Sequence, residues 1–280
     1  MPAIERMRPL LGTFVTIWAE GNAALASRQV EAAVESAFRA ITRVDRLMSF
    51  HRCRSDVSRL NRARTGSILR VHAWTFHVLT EAIKLWRWSG GAFDCNVGTA
   101  LIRAGLLPKM VRGHAHRGRF GDAVRLQRNH SIRLNSRVTL DLGGIAKGFA
   151  VDKAVAVMQA HGLVQGLVNA GGDLRVFGED PQPVWARDPE SPSKSRLLGT
   201  LANGAVATSG SYFIEDRKST TVATSAIVDT ERGRRVPMAG SVSVIARNCL
   251  LADALTKVVV LRGRLPTRLA RYAQAKVVAA

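Results

Sequence analysis

Residues 140–155, LDLGGIAKGFAVDKAV, constrain the chain more than any other stretch. An apolar strand end runs into paired glycines and then into a helix-forming segment with a lysine in its first turn. Glycine lets a backbone approach a ligand closely, and successive main-chain N–H groups at a helix start hold anions, so GGIAKG suits a phosphate or diphosphate. The GxxxxGK[ST] spacing of a P-loop is absent. What Lys147 meets at that turn is the question the rest of the chain must answer.

Around this unit the pattern mixes strands and helices without regular βαβ alternation. Residues 13–19 read as a strand, and residues 23–47 carry apolar side chains at helical spacing (Val30, Val34, Ala37, Phe38, Ile41, Val44), which predicts a long amphipathic helix. A second helix is expected over 73–89, with Trp74, Trp86 and Trp88 as packing residues. After Gly90-Gly91 the chain is basic and irregular to about 129, then strand-like over 131–140, helical over 147–159 and closed by His161-Gly162. Residues 163–169 and 173–177 look like paired strands around NAGGD; 181–192 is loop-rich; 205–208, 223–228 and 241–246 are further β-like runs. A last helix begins near Leu250 and carries Asp253, Thr256 and Lys257. This favours an α+β fold with an antiparallel-rich sheet over a doubly wound parallel one, in one domain over residues 1–280.

Charge narrows the partners without choosing among them. The chain has 41 Lys and Arg against 21 Asp and Glu, a formal charge of +20 over 280 residues, which attracts nucleic acid, anionic lipid or a phosphorylated ligand. The basic residues are spread out, with no groove-reading motif and no aromatic-basic alternation, so specific nucleic-acid binding is not expected. Cys53, Cys95 and Cys249 lie far apart, with no CxxC pair, which argues against a disulfide framework. The apolar run at 10–19 is short and broken by Gly12, and no stretch reaches the roughly 20 apolar residues of a membrane span. A soluble, cytoplasmic protein is the expectation.

Six small-residue clusters punctuate the chain: GAFD (91–94), DLGGIAKG (141–148), NAGGD (169–173), ATSGS (207–211), DTERGRRV (229–236) and ADALTK (252–257). Each alone reads as a tight turn. Their joint order is specific. Together with LGTFVTI at 11–17, MSFHRCRSDVSRLN at 48–61, VWARDPE at 184–190, SVSVIA at 241–246 and the continuation VVVLRG, they make the chain resemble the ApbE family of FAD:protein FMN transferases over nearly its whole length.

The resemblance implies a T-fold-like, two-lobed α+β architecture of antiparallel-rich mixed sheets with packed helices. It also implies a magnesium-dependent enzyme that breaks the FAD diphosphate, transfers FMN to a threonine hydroxyl on a target flavoprotein bearing a flavinylation motif, and releases AMP. Some relatives are similar but hydrolyse FAD. By the same resemblance Leu11, His51, Ala92, Phe93 and Asp94 line the flavin or adenine side, and Gly143, Gly144, Ala146 and Lys147 form the diphosphate turn. Gly171, Gly172 and Asp173, with Thr208, Ser209 and Gly210, complete the cradle, and Ile227 lies beside the ligand. Asp253 and Lys147 are the expected catalytic residues. The Ala146 carbonyl, Asp253 and Thr256 are the expected ligands of Mg2+, oxygen donors suited to a hard cation. Lys147 is expected beside the FAD phosphates or a nearby carboxylate, a surface salt bridge being its plain alternative.

Two positions depart from the pattern. The family commonly has a histidine where this chain has Ala226, and a proline where it has Thr230. At the last helix the family reads ADALATAL, with a metal-binding threonine four residues after the aspartate; here that position is Lys257. A charged lysine cannot ligate magnesium, and its ammonium can replace part of the metal's charge, while Thr256 is left as the hydroxyl closest in register. The plain alternative is an i,i+4 ion pair on a solvated helix face. These departures keep a second reading open, a catalytically impaired FAD-binding protein.

Overall fold

The computed structural model describes residues 1–109, 118–188, 191, 194–210, 224–230, 232–238 and 240–279. Part of the basic stretch before 129, part of the loop-rich segment and the SYF of VATSGSYF lie outside them.

Strands β1 (Ala3–Leu10) and β2 (Thr13–Glu20) form a hairpin. Its turn places Leu11 at φ 56° and Gly12 at φ 73°. A leucine in the left-handed region is uncommon and marks a position held by its surroundings. β1 was not expected from the sequence, because as an edge strand carrying Glu5, Arg6 and Arg8 it shows no apolar alternation. Helix α1 (Ser27–Met48) buries Val30, Val34, Ala37, Phe38, Ile41 and Val44 as its spacing requires. It starts later than residue 23 because the Asn22 side chain accepts the Ala24 N–H at 2.9 Å and Gln29 accepts the Ala26 N–H at 2.8 Å.

Next come α2 (Asp56–Arg62), β3 (Ile68–Arg70), α3 (Ala73–Trp88), α4 (Gly98–Arg103), α5 (Phe120–Ala123), β4 (Val124–Gln127) and β5 (Ser131–Leu134). The three strands pair in the order β3-β5-β4. The tryptophans pack as expected: Trp74 meets Phe149 edge-on at 6.1 Å, and Trp88 meets Tyr272 at 4.9 Å. The strand expected over 131–140 stops at Leu134. Beyond it the backbone is satisfied one group at a time: Asn61 bonds both the N–H and the carbonyl of Leu140, Asn96 accepts the Thr139 N–H, and Asp141 N–H donates to Cys95 O. An extended segment tied by side chains reads like a strand in sequence but joins no ladder.

Helix α6 (Ala146–Ala160) follows and ends, as expected, at His161 and Gly162. Then come β6 (Gln165–Ala170), β7 (Asp173–Phe177), β8 (Gln182–Arg187), β9 (Ser195–Leu201), β10 (Gly204–Gly210), β11 (Thr224–Asp229), β12 (Arg234–Pro237) and β13 (Ser241–Ala246). The chain finishes with α7 (Cys249–Arg262), α8 (Thr267–Ala273) and β14 (Lys276–Ala279). The loop-rich reading of 181–192 is corrected, since β8 pairs with β9 as a hairpin; Pro181 and Pro183 hid the strand.

The main sheet has seven strands in the order β1-β2-β6-β7-β10-β13-β14, and each neighbouring pair is antiparallel. This is the expected α+β class. One face carries α1, α6 and α7 and the main core; the other buries Leu174, Val176 and Val206 with Val184 of the β8–β9 hairpin. Helices α6 and α7 are buried on most of their faces, as central helices must be. Among the described residues no helix is long and apolar enough to cross a membrane.

The α6–α7 junction sets the site. A Cβ on Gly148 would lie 2.2 Å from the Cys249 carbonyl oxygen and 2.9 Å from Asp253 Cβ, so glycine alone permits this approach. Asp152 of α6 accepts the N–H groups of Cys249 and Leu250, each at 2.9 Å, and is held in turn by Arg175 at 2.6 Å. Asn248 accepts the Leu251 N–H at 3.0 Å, so three donors at the start of α7 are satisfied by side chains. Asp152→Ala leaves two of them buried without partners and should cost about 2–4 kcal/mol, read by urea denaturation. A loss under about 0.5 kcal/mol would contradict this account of the junction.

Candidate active site

A cavity of about 610 Å3 opens where the β1–β2 turn, the end of α1, the 92–97 loop, the start of α6, the β6–β7 turn, the end of β10, β11 and α7 converge. Its size falls in the range of small-molecule sites. Its lining includes the apolar side chains of Leu11, Val44, Met48, Phe50, Phe93, Leu106 and Leu107, together with the acids Asp45, Asp94 and Asp141. At the α6–α7 junction Gly143, Gly144, Lys147 and Lys257 form a polar wall, with Thr208 and Ser209 of β10 on the same lining.

Lys147 has its answer. Its Nζ lies 2.5 Å from Asp173 Oδ2, while the side chain still lines the cavity at 33% exposure and Asp173 is nearly sealed at 2%. Burial by itself would lower the Lys147 pKa, but the carboxylates of Asp173 and Asp253 outweigh it and hold it above the ordinary lysine value. Lys147 is therefore a fixed cation, and the surface-salt-bridge alternative is excluded by the burial of its partner.

Asp253 is fully buried, one turn of α7 from Lys257. Its Oδ2 accepts the Gly148 N–H at 3.1 Å, and its Oδ1 is ion-paired with Lys257, whose Nζ also donates to the Asp253 carbonyl at 3.0 Å. The pair is i,i+4 but not on a solvated face: Lys257 lines the cavity and its stem lies over Gly144, where a Cβ would stand 3.5 Å from Lys257 Cε. Thr256 Oγ1 donates to the Asp253 carbonyl at 2.7 Å, so the 2.8 Å contact with Ser209 has the Ser209 hydroxyl as donor.

Of the residues singled out in the sequence, Leu11, His51, Ala92, Phe93, Asp94, Gly143, Gly144, Ala146, Lys147, Gly171, Thr208, Ser209, Gly210 and Ile227 converge on the cavity. Asp173, Asp253 and Thr256 are buried behind its wall, and Gly172, half-buried, is not on the lining. Gly172 shapes the β6–β7 turn, its N–H donating to Asn169 at 3.0 Å. At the α6 start, the N–H groups of Ile145 and Ala146 turn back to the Leu142 carbonyl and that of Gly148 to Asp253, so these amides are committed within the protein. Sequence reasoning passed over Asp141, although it stands inside the DLGG block. Burial raises its pKa, against the Gly143 amide and the His51 charge, which lower it. Lys257 was noticed as a departure but not as part of the cavity lining.

The residues present do not fit a magnesium ion. The one buried carboxylate expected to bind it carries a lysine ammonium on Oδ1 and the Gly148 N–H on Oδ2, and the Thr256 hydroxyl donates to the Asp253 carbonyl and accepts from Ser209, which leaves it a single lone pair. Among the described residues no group of three or more His, Cys, Asp or Glu stands together to hold a metal.

The model of the ApbE family matches residues 11–280. Among curated proteins, the FAD:protein FMN transferase of Vibrio cholerae is 30% identical over 239 residues, covering 76% of this chain and 70% of that one. The FAD:protein FMN transferase of Chlamydia muridarum is 29% identical, covering 72% of this chain and 66% of the relative. Among solved structures, the ApbE protein of Thermotoga maritima superposes with a TM-score of 0.77 at 27% identity, over 93% of this chain and 87% of that one. The flavin transferase ApbE of Vibrio cholerae superposes at 0.78 and 22% identity, over 98% and 92%, a likeness of fold. An antiparallel α+β scaffold is thus shared with ApbE proteins of known structure. The chain belongs to the ApbE family.

Lys147→Met leaves Asp173 buried and unpaired beside Asp253, and should cost about 3 kcal/mol near pH 7. Burial and the Asp253 charge push the Asp173 pKa above the ordinary carboxyl value. Such a carboxyl binds protons more readily folded than unfolded, and the penalty should shrink as pH falls from about 7 towards about 4. Denaturation of both proteins across that range checks this; a deficit independent of pH would contradict it.

Proposed function

We propose that this chain is an FAD:protein FMN transferase. It binds FAD with an isoalloxazine or adenine ring against the apolar side chains and the diphosphate at the polar wall, and transfers FMN to a threonine hydroxyl of a flavoprotein. The observation that carries the reading is the presence, in one cavity of a family member, of apolar side chains that can meet a ring and of two lysines, Lys147 and Lys257, that can meet an anion.

In the reaction the threonine oxygen bonds to the phosphorus on the FMN side while the bridging P–O bond breaks. AMP leaves with the bridging oxygen, and the hydroxyl proton passes to a base or to solvent. Transfer of this kind is governed by positioning and by stabilising charge on the phosphoryl oxygens. Lys147, fixed by Asp173, offers one such charge at constant position. Leu11, Phe93 and their neighbours exclude water from the ring end and orient the ligand. The magnesium that the resemblance implies takes no part in this reading, because Lys257 occupies the carboxylate it would need.

Ala226, on the cavity wall where the family commonly has histidine, favours a second reading in which FAD is held or hydrolysed without protein labelling. Incubation of the purified protein with FAD and a flavoprotein domain bearing an acceptor threonine separates the two. AMP release with covalent flavin fluorescence on the acceptor is the expected result. AMP and FMN without label would mean hydrolysis, and tight FAD binding without either product would mean a retired enzyme.

A further inference from the structure

We infer that Lys257 is the resident cation of this site: its ammonium, anchored on buried Asp253, holds the FAD diphosphate and makes ligand binding independent of a divalent metal. The inference rests on the FAD reading above.

Three features lead to it. First, the Asp253 carboxylate is at 0% exposure, and a buried carboxylate needs a positive partner. Here Lys257 is that partner, in an ion pair to Oδ1 with a second hydrogen bond from Nζ to the Asp253 carbonyl at 3.0 Å. A divalent ion at Oδ1 would have to displace a covalently tethered ammonium and then share the pocket with it, at short range and in a poorly screened site. Second, an ammonium carries three donors and no acceptor. Two of the three are directed at Asp253, while the side chain retains 20% exposure and lines the cavity, which leaves a donor for an anionic oxygen. Third, the amides of Ile145, Ala146 and Gly148 at the α6 start are committed to Leu142 and Asp253. Lys147 and Lys257, both on the cavity lining, then supply the positive side-chain charge for the diphosphate beside the Gly143-Gly144 turn.

The substitution also changes the charge of the site. With Lys147, Asp173 and Asp253 common to both cases, Lys257 brings one positive charge where a bound divalent ion would bring two. FAD binding survives removal of metal, and the electrostatic help to the breaking P–O bond is correspondingly smaller.

The test uses the whole chain, FAD and Mn2+ as probes. FAD affinity, followed by flavin fluorescence, should differ by less than about threefold between excess EDTA and excess Mg2+. Electron paramagnetic resonance should find no Mn2+ bound beyond what free FAD holds. Lys257→Thr should lose at least about tenfold in FAD affinity in EDTA and recover with Mg2+, with a bound Mn2+ signal appearing. Lys257→Arg keeps the charge and should remain indifferent to metal. If Lys257→Thr does not fold, the wild-type Mn2+ measurement decides alone. A wild type that binds Mn2+ tightly, or needs Mg2+ to hold FAD, overturns the inference and leaves the transferase reading standing. Failure to bind FAD under either condition overturns both. FAD bound equally with and without metal, but with no AMP formed, supports the inference and overturns the transferase reading.

Discussion

The junction of α6 and α7 at Gly148 and Asp253 is the contact on which the cavity depends. Gly148 permits the two helices to touch backbone to side chain, and its N–H is the hydrogen-bond donor that fixes Asp253 Oδ2. Asp253, fixed and dry, finds a positive partner one turn further along α7 in Lys257, whose stem lies over Gly144. Asp152 performs a parallel task at the start of α7, so two aspartates of different helices lock the same crossing. The cavity's polar wall is the exposed side of this lock.

Two ion pairs with opposite geometry share that wall. Lys147 reaches from α6 to Asp173 on β7, joining helix to sheet, whereas Lys257 reaches back along its own helix. In each the carboxylate is sealed and the ammonium stays at the cavity, so the acids act as anchors and the cations face the cavity. The four charges sum to zero before a ligand enters. The carboxylates hold each cation at a fixed place, which is the preorganisation that transfer of a charged group requires. An anionic group at this wall would be met by direction and proximity more than by net charge.

The turn-and-helix unit at 140–155, the amphipathic α1 and the Gly-rich turns were legible because each rests on local chemistry: periodicity, a glycine at positive φ, a small residue where helices touch. Edge strand β1 and hairpin β8–β9 were not, since exposed polar residues and prolines erase the alternation that betrays a strand. The cavity lining was largely legible through the order of the family's blocks. What could not be read was depth. In the sequence Asp173, Asp253 and Thr256 look equivalent to Lys147 or Ser209, and only the packing of α6 on α7 and on β7 puts the former behind the wall. The meaning of Lys257 likewise depends on whether its helix face is wet or dry, which periodicity does not reveal in a helix buried on most sides.

The most direct test is a crystal structure of the protein grown with FAD and millimolar Mg2+. The account requires the diphosphate to lie between Lys147 and Lys257, with each Nζ within about 3 Å of a phosphate oxygen and the Asp253–Lys257 pair intact. A six-coordinate ion on Asp253, with the Lys257 side chain swung out of the cavity, would contradict it.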